Sequence, residues 1–169
     1  MLNPRSSGSF GVHTARPTQW LLRYLPQPSL SIVTQETTEL RFPSRIEAVA
    51  EAAAAVSEFL NRVGISEDVA FGIDMAVREA VTNAVLHGNK LDSAKFAEVD
   101  VKKSPEGLEI NVRDQGRGFN PDEVADPTKG ENILKTSGRG IFFMRNFMDE
   151  VDWTVNPEGG TTVRMIKKL

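Results

Sequence analysis

Glu79, Asn83 and His87 are spaced four apart. On a helix this spacing stacks the three side chains along one face, because the backbone turns once every 3.6 residues. The amide oxygen of Asn83 is a hard ligand of the type Mg²⁺ accepts, and the Glu79 carboxylate one turn earlier can orient or deprotonate a hydroxyl or water beside such an ion. A solvated polar face has the same spacing, so the triplet alone leaves both readings open. A second group is Asp114-Gln115-Gly116-Arg117-Gly118-Phe119. Its carboxylate can accept a hydrogen bond from an exocyclic amine such as that of adenine, while Gly116 and Gly118 let the backbone turn closely against a flat ring. A dinucleotide fingerprint is excluded, since it needs a third glycine opening a helix where this chain has Pro121.

A third group, Ser137-Gly138-Arg139-Gly140, leads into the apolar-periodic run Ile141 to Met148. Free N–H groups and the dipole at a helix start favour an anion such as phosphate. The neighbouring stretch Gly130 to Thr136 fails as a Walker loop, because Leu134 stands where the glycine before Lys135 is required. Gly159-Gly160-Thr161-Thr162 is the last group, either a plain turn or a means of placing a hydroxyl beside a ligand.

The elements that must position these residues follow from periodicity. Ile32, Val33, Thr34, Thr37, Thr38, Leu40 and Phe42 read as an edge strand over Leu30 to Phe42, stopped by Pro43. Ser44 reads as an N-cap for a helix over Arg45 to Val63, with Ile46, Val49, Ala53, Val56 and Leu60 as its apolar stripe and Gly64 closing it. A second helix opens at Ser66, buries Val69, Ile73, Ala76, Val77, Ala80, Val81 and Ala84, runs to about Leu86 and stops near Gly88, with His87 packed at its close. Phe96 to Lys102 and Leu108 to Arg113 alternate as antiparallel strands around the turn Pro105-Glu106-Gly107. Pro121 to Gly138 lacks any period and reads as a long loop, a length that points to function. Gly140 to Met148 is helical, and Glu150 to Val155 and Thr161 to Lys167 are strands.

Composition bounds the answer. At 169 residues, with 40% hydrophobic and 25% charged residues and a net charge of −3, the chain is an ordinary soluble protein rather than a disordered or nucleic-acid-coating one. The absence of cysteine excludes thiolate metal sites and cysteine nucleophiles. No apolar run approaches the roughly 20 residues that cross a bilayer. The first 35 residues hold no Asp or Glu but carry Arg5, Arg16 and Arg23 and an apolar cluster from Trp20 to Leu25. Residues 1–29 are therefore expected to be a poorly ordered extension, and residues 30–169 one domain.

In chain order, Glu79-x-x-x-Asn83, Asp114-x-Gly116-x-Gly118, Gly138-x-Gly140 and Gly160-Thr161-Thr162 resemble the N box and the three glycine-containing boxes of the GHKL ATPases, the superfamily of gyrase and the histidine kinases. Glu79-Ala-Val-Thr-Asn-Ala-Val, His87-Gly88 and Asn146-Phe-Met-Asp-Glu-Val are similar to the bacterial anti-sigma-factor serine kinases of sporulation and stress control. The resemblance runs from about Leu40 to Leu169. It implies a Bergerat-type ATP-binding fold of the α/β (α+β two-layer sandwich) class, with helices on one face of a mixed, largely antiparallel sheet and nucleotide between the helices and a mobile lid. It further implies that Asn83 ligates Mg²⁺, that Glu79 is the base acting on the acceptor hydroxyl, and that Asp114 binds the adenine amine. Gly116 and Gly118 belong to the nucleotide site by the same resemblance, with Gly118 lining the base, Thr162 supporting it, Gly138, Arg139 and Gly140 holding phosphates, and Asp126 to Ser137 forming the lid.

The function implied is that of a cytoplasmic, homodimeric protein-serine/threonine kinase using ATP and Mg²⁺. Such a protein sequesters a sigma factor or equivalent client in one state and phosphorylates a small anti-sigma-factor antagonist in another, without direct nucleic-acid or membrane contact. Two other readings remain: a nucleotide-binding partner-switching module without kinase activity, and a GHKL ATP hydrolase or detached histidine-kinase catalytic domain. The presence of Glu79 favours the kinase over the first. Against the second, His13 is the only histidine upstream of the domain, and it sits in a segment without a helical stripe.

Overall fold

The structure is a computed structural model, which describes residues 36–118 and 139–169. The chain begins there with β1 (Glu36–Pro43), followed by α1 (Glu47–Arg62) and α2 (Glu67–Thr82). A wide π-helical turn, Asn83–Gly88, then leads to β2 (Phe96–Ser104) and β3 (Gly107–Arg113). After α3 (Arg139–Phe147) come β4 (Glu150–Val155) and β5 (Thr161–Lys168). The expected extension 1–29 and the start of the expected first strand, 30–35, lie outside the described residues.

The strands form one five-stranded sheet in the order β1-β2-β3-β5-β4. Every described pairing is antiparallel, in keeping with the largely antiparallel sheet that the resemblance implied, and no parallel pair occurs among the described residues. The cause is the connections. Two helices, not one, separate β1 from β2, and each reverses the chain, so β2 returns antiparallel. The connection that ends in α3 does carry the chain from β3 to a strand of the same direction, but β5 inserts between β3 and β4 and pairs antiparallel with both.

Alternation along the strands sorts the two faces. Ala97, Val99 and Val101 of β2, Leu108, Ile110 and Val112 of β3, and Val163 and Met165 of β5 are all buried against the helices. The intervening residues carry charge on the open face, where Arg164 reaches Glu109 at 2.9 Å and Asp152 at 3.6 Å. The helices supply the other half of the core: Ala52, Val56, Phe59 and Leu60 from α1, Ile73, Ala76, Val77, Ala80 and Val81 from α2, and Met144 from α3. Ile46, read above as part of the first stripe, is instead 54% exposed, because α1 begins one residue after it. Among the described residues no helix is long and apolar enough to cross a membrane.

Two helix ends depart from the sequence expectation, and both do so beside the site. Ser44 does not cap α1; the cap position is Ile46, without a side-chain hydrogen bond. The Ser44 hydroxyl is buried and accepts instead from the Asn89 amide, 2.6 Å away. The second helix is regular only to Thr82, after which the chain widens, with the Asn89 N–H donating to the Ala84 carbonyl at 2.7 Å, five residues back. Helix α3 lies antiparallel on α2: Phe147 packs on Gly72, leaving a Cβ there only 3.1 Å from the ring, and Gly140 lies beside Glu79. Since Ile110 is fully buried at the centre of β3, Ile110→Ala is expected to cost about 2–5 kcal/mol. A urea midpoint lowered with an unchanged m-value is the result to look for.

Candidate functional site

A cavity of about 680 Å³ opens between α2, the π turn, the first turn of α3 and the ends of β3, β4 and β5. Its apolar walls are Ala80, Ala84, Val112, Ile141, Trp153 and Val163, and its polar groups include Glu79, Asn83, Asp114 and Thr161. A mostly apolar cleft with a few convergent polar groups is the usual form of a small-molecule site, and this volume suits a nucleotide.

Asp114 follows the last residue of β3 and is only 6% exposed. Its own N–H donates to the Thr161 carbonyl at 3.0 Å, which continues the β3–β5 ladder one residue past the strand. The Gly116 N–H donates to Asp114 Oδ1 at 2.7 Å. Burial pushes the Asp114 carboxyl above its ordinary pKa of 3.8, and the Gly116 N–H only partly offsets this. The Thr161 hydroxyl is buried beside the same carboxylate and helps to hold its charge, although it makes no hydrogen bond of ordinary geometry among the described residues. A desolvated acceptor with a hydroxyl beside it on one cavity wall fits a ligand edge that offers both a donor and an acceptor.

The backbone around this carboxylate is closely packed. A Cβ at Gly88 would fall on the Asp114 carboxyl, and one at Gly160, whose φ is +86°, would fall on the Asp114 carbonyl oxygen. Only glycine allows the π turn and the β5 entry to approach Asp114 from both sides. Across the cavity, Glu79 is half-buried on α2, and a Cβ at Gly140 would stand 2.5 Å from its Oε2. The carboxylate thus rests against the first turn of α3, where helix N–H groups favour negative charge. Asn83 lines the cavity one turn further along.

Of the residues singled out in the sequence, Glu79, Asn83, Asp114, Gly118 and Gly140 meet in this cavity. Gly116 does not line it but stands behind Asp114, holding the carboxylate through its N–H. Thr162 is a correction. Successive strand residues face opposite ways, and Thr162 points to the far side, where its hydroxyl donates to Asn156 Oδ1 at 3.0 Å; Thr161 faces the cavity. His87 is exposed and lines the cavity instead of packing at a helix end, because the π turn carries it outward. Gly138 and the lid segment Asp126 to Ser137 lie outside the described residues; Arg139 opens α3, and its side chain also lies outside them. Gly88, Lys90 and Trp153 line the cavity without having been singled out for it. Gly88 was legible as a helix stop and as part of the family word His87-Gly88 but not as a cavity residue, and Trp153 only as an alternating strand residue. Among the described residues no group of three or more His, Cys, Asp or Glu is arranged to hold a metal ion. A Mg²⁺ ion, were one held by the Asn83 amide, would draw most of its ligands from water and a bound phosphate, as this cation commonly does.

The chain is similar to proteins of known type. The histidine kinase-like ATPase domain family matches residues 42–167. An anti-sigma F factor of Oceanobacillus iheyensis is 35% identical over 132 residues, covering 77% of this chain and 90% of the relative. An anti-sigma F factor of Bacillus cereus is 34% identical over 134 residues with the same coverage. Among solved structures, the RsbU and RsbW domains of a Mycobacterium tuberculosis protein align with TM-score 0.59 and 21% identity over 79% of this chain, which spans 32% of that longer chain. The SiaB-SiaC complex of Pseudomonas aeruginosa aligns with TM-score 0.58 and 11% identity, over 76% of this chain and 88% of that one. These structural likenesses bear on the fold alone.

The raised Asp114 pKa has a consequence for stability. A carboxyl whose folded pKa exceeds its unfolded value favours the folded state below the unfolded pKa and loses that contribution as pH rises through the folded one. Asp114→Asn removes the ionisable group from this desolvated position while keeping an acceptor for Gly116. In paired thermal melts the variant is expected to gain on the wild type as pH rises from the ordinary carboxyl range towards 7. A variant that loses ground over that range contradicts this account of Asp114.

Proposed function

Because the chain belongs to the histidine kinase-like ATPase domain family, we propose that its cavity binds Mg²⁺-ATP and that the protein is an anti-sigma factor with protein-serine/threonine kinase activity. The observation that carries this reading is the pairing of a buried acceptor, Asp114, with the Glu79–Asn83 pair across one apolar cavity. In that role Asp114 accepts a hydrogen bond from the exocyclic amine of adenine, and the Thr161 hydroxyl completes recognition of the same ring edge. Val112, Val163, Ile141 and Trp153 cover the ring faces. Asn83 offers its amide oxygen to the metal, and the first turn of α3, at Arg139 and Gly140, offers backbone N–H groups to phosphate.

Bound Mg²⁺-ATP supplies a transferable phosphoryl group and a counter-charge; the chain's own part is positioning and proton removal. Glu79 lies against α3 within the same cavity wall. It is set to take the proton from an incoming seryl or threonyl hydroxyl as that oxygen attacks, which makes it the catalytic residue of this reading. The acceptor is a residue of a small antagonist protein. Partner switching follows when the nucleotide state of the cavity alters which partner, antagonist or sigma factor, the surface around it holds. The similarity to anti-sigma F factors across 90% of their length supports this choice of partners. A cytoplasmic homodimer is the working form this reading takes.

Glu79→Ala is expected to lower phosphotransfer to an antagonist by about a hundredfold or more while ATP affinity stays within a few-fold. Asn83→Ala is expected instead to abolish the Mg²⁺ dependence of nucleotide binding. Single-turnover transfer from labelled ATP, run beside equilibrium binding on the same variants, separates the two. Full transfer by Glu79→Ala removes Glu79 from the role of base.

A further inference from the structure

Asn89 is 1% exposed, and the chemistry above makes no use of it. Its side chain nevertheless makes three hydrogen bonds to three separated parts of the chain. Nδ2 donates to Ser44 Oγ at 2.6 Å, beyond the end of β1, and to the Phe96 carbonyl at 2.9 Å, the first residue of β2. Oδ1 accepts from the Gln115 N–H at 2.7 Å, the residue after Asp114. Asn89 also closes the π turn through its own N–H to Ala84. The two residues that follow, Lys90 and Leu91, adopt left-handed backbone at φ of 56° and 57°, a conformation that side chains other than glycine hold only when their surroundings fix it. Both donor hydrogens of the amide and its oxygen are therefore engaged.

These bonds link the two halves of the cavity. On one side of Asn89 lies the turn Asn83–Gly88, which carries the Asn83 amide that the nucleotide reading assigns to the metal. On the other is Asp114-Gln115-Gly116, which carries the acceptor for the ring, and the Gly88 backbone stands directly against the Asp114 carboxyl. Besides the Phe96 N–H bond to Gln115 Oε1, no other side-chain hydrogen bond among the described residues joins the segment that follows the π turn to the Asp114 turn. A second contact reinforces the arrangement: the Phe96 N–H donates to Gln115 Oε1 at 2.9 Å, so Phe96 and Gln115 are each bonded both to Asn89 and to one another.

We propose that Asn89 is a positioning residue that sets the spacing between Asn83 and Asp114, so that recognition of the adenine ring and use of Mg²⁺ are coupled through one buried amide. The proposal rests on the nucleotide reading given above. It differs from a merely structural role in what it makes of a folded variant. Loss of the amide frees the two turns to drift apart, and the site then loses base selectivity and metal dependence together. A structural role lowers the melting temperature and leaves the folded protein's selectivity intact.

The test measures the affinities of the full chain for ATP and GTP, each with and without Mg²⁺, by competition with a fluorescent ATP analogue at a temperature where far-ultraviolet circular dichroism shows each variant folded. Asn89→Ala is expected to weaken ATP binding by about tenfold, and to shrink both the ATP-over-GTP ratio and the Mg²⁺ enhancement. Ser44→Ala, which removes one of the three partners and touches no ligand, is expected to shift the same two ratios in the same direction by about threefold. Asn89→Ala that is folded and keeps wild-type ratios overturns the proposal. Should Asn89→Ala not fold, unchanged ratios in Ser44→Ala overturn it. Absence of ATP binding by the wild type is a different outcome, since it removes the nucleotide reading itself and this inference with it.

Discussion

The close approach of the π turn to the end of β3 is the constraint on which the rest of the site depends. At that point the Gly88 backbone meets the Asp114 carboxyl without room for a Cβ, while Gly160 closes on the Asp114 carbonyl from the other side. The carboxylate is desolvated as a result and stands above its ordinary pKa. A buried acid is costly unless hydrogen bonds and nearby charge support it, and here the Gly116 N–H, Thr161 and Lys95 only partly offset the desolvation. The rest of its cost is met by the packing of the sheet and helices around it.

The second constraint is the widening of α2 into a π turn. A regular helix continued through Asn83 would keep its hydrogen bonds four residues apart and leave the chain on its original track. The bond from Asn89 to Ala84 reaches five residues back, and the backbone then enters left-handed geometry at Lys90 and Leu91. The extra width brings His87, Gly88 and Lys90 to the cavity. Helix α3, antiparallel to α2 and locked to it at Gly72 and Phe147, brings its first turn to Glu79. Helix α2 thus bears Glu79 while the π turn that continues it opens with Asn83, and the turn and α3 determine what those side chains face.

Much of this was legible in the chain itself. Strand alternation and helical stripes gave the element order, because one face of each element must be apolar to form a two-layer core. Glu79, Asn83, Asp114, Gly118 and Gly140 were recognisable as candidates because their types and order matched a known set of motifs, and they line one cavity. What escaped the reading has local causes. The choice between Thr161 and Thr162 depends on strand phase, and one residue of slip exchanges the two faces. Ser44 has the composition of a cap, yet its hydroxyl is drawn to Asn89, forty-five residues away, a pairing that no local pattern encodes. The π turn has no periodic signature, and a sheet antiparallel throughout its described strands follows from β5 inserting between β3 and β4, which is a fact of tertiary packing.

The most direct measurement of the central claim is calorimetric titration of the wild-type chain with ATP, with and without Mg²⁺, alongside GTP. The account predicts saturable binding of one ATP per chain, tightened by Mg²⁺ and clearly preferred over GTP. Binding that is absent, or indifferent to both the base and the metal, would contradict the assignment of Asp114 and Asn83 to the two ends of one nucleotide site.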